Sequence, residues 1–187
     1  MSDKTFPFPG RELAASELSR DPCHVKILPK DREKVVEMAW KKGEKAAKMI
    51  FERYEGSHDF FYIAEQSGLK CVQVDADYVV GNDRYFSDYL TGRKRIRLFT
   101  KSISRWAKKN SLTLHEAKNL ILSHEYFHFL EFTEIGLTSR DYQVPMLVIG
   151  NFKLGRTGVR ALSEIGAHAF AWKYHELTAG VHSETKE

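Results

Sequence analysis

Thr113-Leu-His-Glu-Ala-Lys-Asn-Leu-Ile-Leu-Ser-His-Glu-Tyr-Phe-His-Phe-Leu130 is the stretch on which the reading of this chain turns. Thr113-x-x-Glu116 has the form of a capping box, in which each residue satisfies the other's otherwise unpaired backbone N–H, so a helix is expected to open here and run to about Phe132. His124 and His128 stand four positions apart on that helix. Four residues is slightly more than one turn, so both imidazoles project from the same face and can grip one cation. Glu125 is turned about 100° from His124 around the axis. Its carboxylate is then placed to reach a water on the cation rather than the cation itself. Neutral imidazole suits Zn2+, which acidifies its bound water, and a carboxylate within hydrogen-bond reach can take the proton as a carbonyl is attacked. The surrounding residues (Leu120, Ile121, Leu122, Phe127, Phe129, Leu130) are too apolar for a surface helix, and polar groups set among them are costly unless paired or metal-bound.

A catalytic zinc site needs a third protein ligand and one open position. Glu131 lies on the same stripe as His128 and reads as a support for a ligand, while Glu134 and Asp141 fit no ligand spacing. Leu162-Ser-Glu-Ile-Gly-Ala-His-Ala-Phe-Ala-Trp172 offers Glu164 and His168, again four apart on one helical face. Gly166, Ala167, Ala169 and Ala171 make that helix slim, so its backbone can come close to the histidine helix. Glu164 is expected as the ligand with His168 hydrogen-bonded to a ligand group; the reverse assignment, His168 as ligand and Glu164 orienting it, stays open.

The rest of the chain frames this site. Residues 1–29 carry four of the five prolines and are expected to form a loose arm. Asp31 to about Tyr54 has a helix-spaced apolar face of Val35, Val36, Ala39, Trp40, Ala46, Ala47, Ile50 and Phe51, with its lysines on the solvated side. A short helix at Phe60–Gln66 precedes Leu69–Val74 and Tyr78–Val80, which read as strands, and Arg95–Phe99 alternates as another. Residues 136–156 read as a long connection, in which Val144–Ile149 is either core or part of a substrate pocket. A last helix is expected from near Thr157 to about Leu177, stopped by Gly180, with a frayed tail over 181–187. The expectation is an α+β domain over residues 30–180, a small, mostly antiparallel sheet packed on the active-site helix between N- and C-terminal helices.

Composition excludes several classes. The 187 residues are 42% hydrophobic and 29% charged, a globular balance. Apolar runs are far below the roughly 20 residues of a membrane span, and the first ten residues lack the basic and apolar regions of a signal peptide. No membrane partner and a cytoplasmic location are therefore expected. Cys23 and Cys71 are too few for a disulfide framework. The net charge is +4, yet residues 93–109 hold eight basic and no acidic residues, so the remainder is −4. That local excess suits an acidic or extended partner; nucleic-acid binding is not expected, because only Phe99 and Trp106 could stack on bases.

His-Glu-x-x-His followed by a later Glu-x-x-Ala-x-x-x-Ala helix resembles the gluzincin metallopeptidases, and more closely the ImmA/IrrE family, whose later helix reads Glu-x-x-Ala-Asn-x-Phe-Ala. The matching positions are Glu164, Ala167, His168, Phe170 and Ala171, and the resemblance spans roughly residues 63–177. It implies a zincin-like fold, zinc at His124, His128 and Glu164, Glu125 as catalytic base, and site-specific cleavage of a regulatory protein. Two positions depart from the pattern: Tyr126-Phe127 replace Leu-Gly, and His168 replaces Asn. The expected activity is hydrolysis of a peptide or protein lying along the Arg95–Phe99 strand, with Tyr142, Arg156 or His168 as donor to the oxyanion. The alternative is a zinc-binding sensor or scaffold that engages a protein without cleaving it, against which Glu125 argues.

Overall fold

The computed structural model describes residues 6–150 and 152–184, and the chain is a mixed α+β structure. In chain order its elements are α1 (Ala14–Arg20), α2 (Pro29–Arg53), α3 (Phe60–Gln66), β1 (Lys70–Val74), β2 (Tyr78–Val80), β3 (Asp83–Tyr85), β4 (Ser87–Leu90), β5 (Arg95–Phe99), α4 (Thr100–Lys109), α5 (Leu114–Leu130), β6 (Gln143–Ile149), β7 (Phe152–Gly158) and α6 (Ala161–Glu184). Short 3-10 turns cover Arg11–Leu13, His24–Lys26, Thr91–Arg93 and Thr138–Arg140.

The main sheet has the order β1-β5-β4, with β1 parallel and β4 antiparallel to β5; β2-β3 and β6-β7 are separate antiparallel hairpins. The sheet is thus mixed, with one parallel and one antiparallel pairing, rather than mostly antiparallel as expected; the other antiparallel pairings belong to the separate hairpins. Strand β5 is central, not an edge. Along it Ile96 and Leu98 are buried in the core, while Arg95, Arg97 and Phe99 share the other face, where the Arg97 guanidinium lies over the Phe99 ring. The basic stretch over 93–109 is also less bare than its sequence suggests, since Arg97 pairs with Asp88, Lys101 with Asp75 and Arg105 with Asp77.

Helix α5 opens on the capping box: Thr113 N–H donates to Glu116 Oε2 at 2.7 Å and Glu116 N–H to Thr113 Oγ1 at 3.2 Å. It buries Ile121, Leu122, Tyr126, Phe127 and Leu130, then widens into one π turn over Glu131–Ile135 and stops at Gly136. Helix α2 begins two residues before Asp31, because Pro29 can take the first helical position, where no N–H is needed.

Helices α2 and α6 touch backbone to backbone. A Cβ on Gly43 would lie 2.1 Å from the Gly166 carbonyl oxygen, and one on Gly166 would lie 2.7 Å from the Phe127 ring. Glycine at both places lets α6 slide between α2 and α5.

Four expectations need correction. Residues 6–28 are not a loose arm: Ala14, Leu18 and Ile27 are buried with Val35, Val36, Leu162 and Ile165 in one core cluster. The buried Asp21 carboxylate accepts the Ala161 N–H at 2.8 Å and so ties this segment to the start of α6. Residues 136–156 are not a mere connection either, since most of them, with residues up to 158, form the β6-β7 hairpin, and α6 starts at Ala161. Helix α6 continues through Gly180 to Glu184, so Gly180 is not its stop; residues 185–187 of the expected tail lie outside the described residues.

Candidate metal centre

His124, Glu125 and His128 come from the last two turns of α5, and Glu164 from the first turn of α6. The two Nε2 atoms of His124 and His128 lie 3.3 Å apart. Glu164 Oε2 lies 3.2 Å from His124 Nε2, and Oε1 lies 3.6 Å from His128 Nε2. Ligand atoms at 2.0–2.1 Å from zinc in a tetrahedron are separated by about 3.3–3.4 Å along each edge. The His124–His128 and His124–Glu164 Oε2 separations, 3.3 and 3.2 Å, match that value, while His128 meets the other Glu164 oxygen at 3.6 Å. The donor set therefore fits zinc, both in chemistry and in spacing, and the three residues form a group able to hold a metal ion.

Behind the group stands a supporting carboxylate. Buried Glu131 faces His128, its Oε2 lying 2.9 Å from His128 Nδ1, while Oε1 accepts from Thr138 N–H at 2.7 Å and from Ser163 Oγ at 2.8 Å. A carboxylate on the far nitrogen fixes the tautomer and the ring plane of a metal-binding histidine. His124 has no equivalent among the described residues, where its buried Nδ1 finds no hydrogen-bond partner. Burial alone would lower the His128 pKa, but the Glu131 hydrogen bond and the charges of Glu164 and Glu125 outweigh it and push the imidazole up to about 9. Burial would likewise raise the Glu164 carboxyl; its hydrogen bond with His124 and the nearby imidazoles instead hold it well below the usual range.

Glu125 is held from the sheet, where Ser87 Oγ of β4 donates to its Oε1 at 2.7 Å. His168, one turn after Glu164, packs its ring against His124 with centroids 5.1 Å apart; among the described residues no hydrogen bond joins it to a ligand. Burial and repulsion from His124 push its pKa down to about 3, so it is neutral at physiological pH. All five residues line one cleft of about 750 Å3, walled by Phe8, Phe86, Tyr89, Trp106 and Phe132. Compared with protein families, curated proteins and solved structures, the chain matches none.

Other residues singled out in the sequence lie elsewhere. The Tyr142 hydroxyl donates to Asp31 Oδ2 at 3.2 Å and does not line the cleft, and Arg156 sits on β7 beside Arg140 and Arg160 in a separate depression. Glu134 is paired with Arg53 at 2.9 Å and Asp141 with Lys42 at 2.7 Å. Of Val144–Ile149, Val144 is buried while Met146 to Ile149 are exposed, so this segment is neither wholly core nor a wall of the cleft. Sequence reading missed Ser87, Thr138 and Ser163, whose short polar side chains carry no periodic signal. It also missed Phe8, held at the cleft by Trp172 Nε1, which donates to the Phe8 and Pro9 carbonyls at 3.2 and 3.0 Å. The aromatic-proline alternation of Phe6-Pro-Phe-Pro9 was the available clue, since a solvated arm has no use for two phenylalanines.

Proposed function

We propose that the protein is a zinc-dependent peptidase of zincin-like design, with His124, His128 and Glu164 holding the cation and Glu125 acting as general base. The observation that carries this reading is the convergence of two imidazole nitrogens and the Glu164 carboxylate, 3.2–3.6 Å from one another, in an open cleft that also contains Glu125. The cation, when bound, supplies a Lewis acid for the scissile carbonyl and lowers the pKa of water at the open position.

The remaining chemistry belongs to the chain. With one oxygen of Glu125 held by Ser87, the other is free to take a proton from the attacking water and hand it to the departing amine. His168, neutral and lining the cleft, is the one of the three expected oxyanion donors that faces the reaction space. An extended substrate runs along β4 rather than β5, because β5 is paired on both sides and β4 on one. Ser87 and Tyr89 of β4 line the cleft, and the aromatic walls receive a bulky apolar side chain next to the cleaved bond.

The test is a comparison of newly formed protein N-termini in cells expressing wild type or Glu125→Gln. The variant keeps the three ligands and should retain zinc while losing at least about a thousandfold in turnover, on the scale of removing a general base together with its proton delivery. A Glu125→Gln protein that cleaves the same sites as wild type would remove the base from the mechanism. A wild type that cleaves nothing while binding zinc and a protein partner would favour the sensor or scaffold reading.

A further inference from the structure

The β6-β7 hairpin leaves the body of the molecule as an isolated two-stranded sheet. Ile149 pairs with Phe152 across the turn, where Gly150 takes φ +56°, a left-handed conformation that costs other residues dearly. Val144 anchors its base, and Lys26 Nζ donates to the Pro145 and Met146 carbonyls at 3.1 and 2.8 Å. Beyond that anchor the apolar side chains are bare. Leu147 and Leu154 face one side with Ile149 and Phe152, and Met146 and Val148 face the other, all between 47% and 71% exposed. A two-stranded sheet without a packed face is marginal in water, so this surface calls for a covering.

Two features say what covers it. Apolar groups occupy both faces and the tip, so a flat protein surface laid on one face would leave the other wet, whereas immersion in an apolar medium covers all of them. Residues 142–163 contain no acidic side chain, and Arg140, Arg156 and Arg160 line one depression of about 460 Å3 at the hairpin base, with no acidic residue in its wall. Among the described residues none of these three arginines, nor Lys153, is ion-paired. From Met146 to Ile149 the strand advances roughly 10 Å at about 3.3 Å per residue. That is the depth, about 5–10 Å, to which peripheral elements enter the headgroup and upper acyl region of a bilayer.

We infer that the β6-β7 hairpin is a membrane-docking element, inserting its apolar tip into an anionic lipid surface while Arg140, Arg156 and Arg160 engage the phosphate headgroups. No helix among the described residues is long and apolar enough to cross a membrane. The inference is independent of peptidase activity.

Sedimentation of the full chain with vesicles of phosphatidylcholine, with and without phosphatidylglycerol, tests it. Binding should require the anionic lipid and weaken steeply as salt screens the arginines. The double substitution Ile149→Ser with Phe152→Ser should weaken partitioning by about tenfold or more per side chain, with an unchanged melting temperature because both residues are exposed. Arg140→Gln with Arg156→Gln should weaken binding at low salt and flatten its salt dependence. Absence of wild-type binding to anionic vesicles, or full binding by the tip variant, overturns the inference. So does a wild-type dimer in light scattering that the tip variant dissolves, if vesicles are not bound: the hairpin is then an interface between two copies of the chain.

Discussion

At the residue scale the informative pair is His128 and Glu131. Glu131 is buried, yet every contact it makes points to one task, holding the ring of His128 from behind while Thr138 and Ser163 hold it in turn. Without a cation, the Glu131 hydrogen bond together with the charges of Glu164 and Glu125 keeps the imidazole protonated up to about pH 9. The sign of the linkage follows. A zinc ion needs the neutral ring, so at pH 7 its binding must expel the His128 proton, and affinity rises with pH until that proton is already gone. Calorimetric titration with zinc in buffers of different ionisation enthalpy should report about one proton released at pH 7, fading above pH 9. Release of none at pH 7 would mean that His128 is not displaced. His124, Glu125 and His128 were legible because helical periodicity alone sets their relation. Glu164 was legible as a candidate because it shares a face with His168 on a slim helix, though only the folded chain shows which of the two reaches the histidines. Ser87 and the departure of Tyr142 were not legible, since each depends on which distant segment lies alongside.

At the element scale, helix α6 decides whether the site is assembled. It must come close enough to α5 for one carboxylate to meet two imidazoles, and glycine contacts set that distance. The added methyl of Gly43→Ala would collide with the Gly166 carbonyl at 2.1 Å, two residues from Glu164. Overpacking against backbone costs about 1–3 kcal/mol, which for a chain of this size lowers the melting temperature by about 2–4 °C per kcal/mol. Because relief requires α6 to shift, zinc affinity should fall together with stability. Lys48→Gly, on the exposed side of the same helix, should cost about 1 kcal/mol through helix propensity alone and leave zinc affinity unchanged. A Gly43→Ala protein with unchanged melting and unchanged zinc affinity would contradict the helix contact. The capping box, the α2 face and the alternation of β5 could all be read from sequence because each is a local pattern. Hairpin β6-β7 escaped because its apolar residues occupy both faces and so lack the period of two that marks a half-buried strand. The start of α6 escaped because its cap comes from Asp21, 140 positions away.

At the scale of the whole molecule, two core clusters share helices α2 and α6. One lies beneath the sheet and α5; the other joins α1, α2 and the first turns of α6. Segment 6–28, proline-rich and without periodicity, belongs to the second cluster and also supplies Phe8 to the cleft wall, so its proline content marks a fixed path over the surface rather than freedom. In the proposed site a single cation is held between α5 and α6. Equilibrium dialysis against buffered zinc, followed by elemental analysis, tests it most directly. One equivalent of zinc should remain with wild type and with Glu125→Gln, and His124→Ala, His128→Ala and Glu164→Ala should each lose it. Zinc held equally well by all five proteins, or by none, would contradict it.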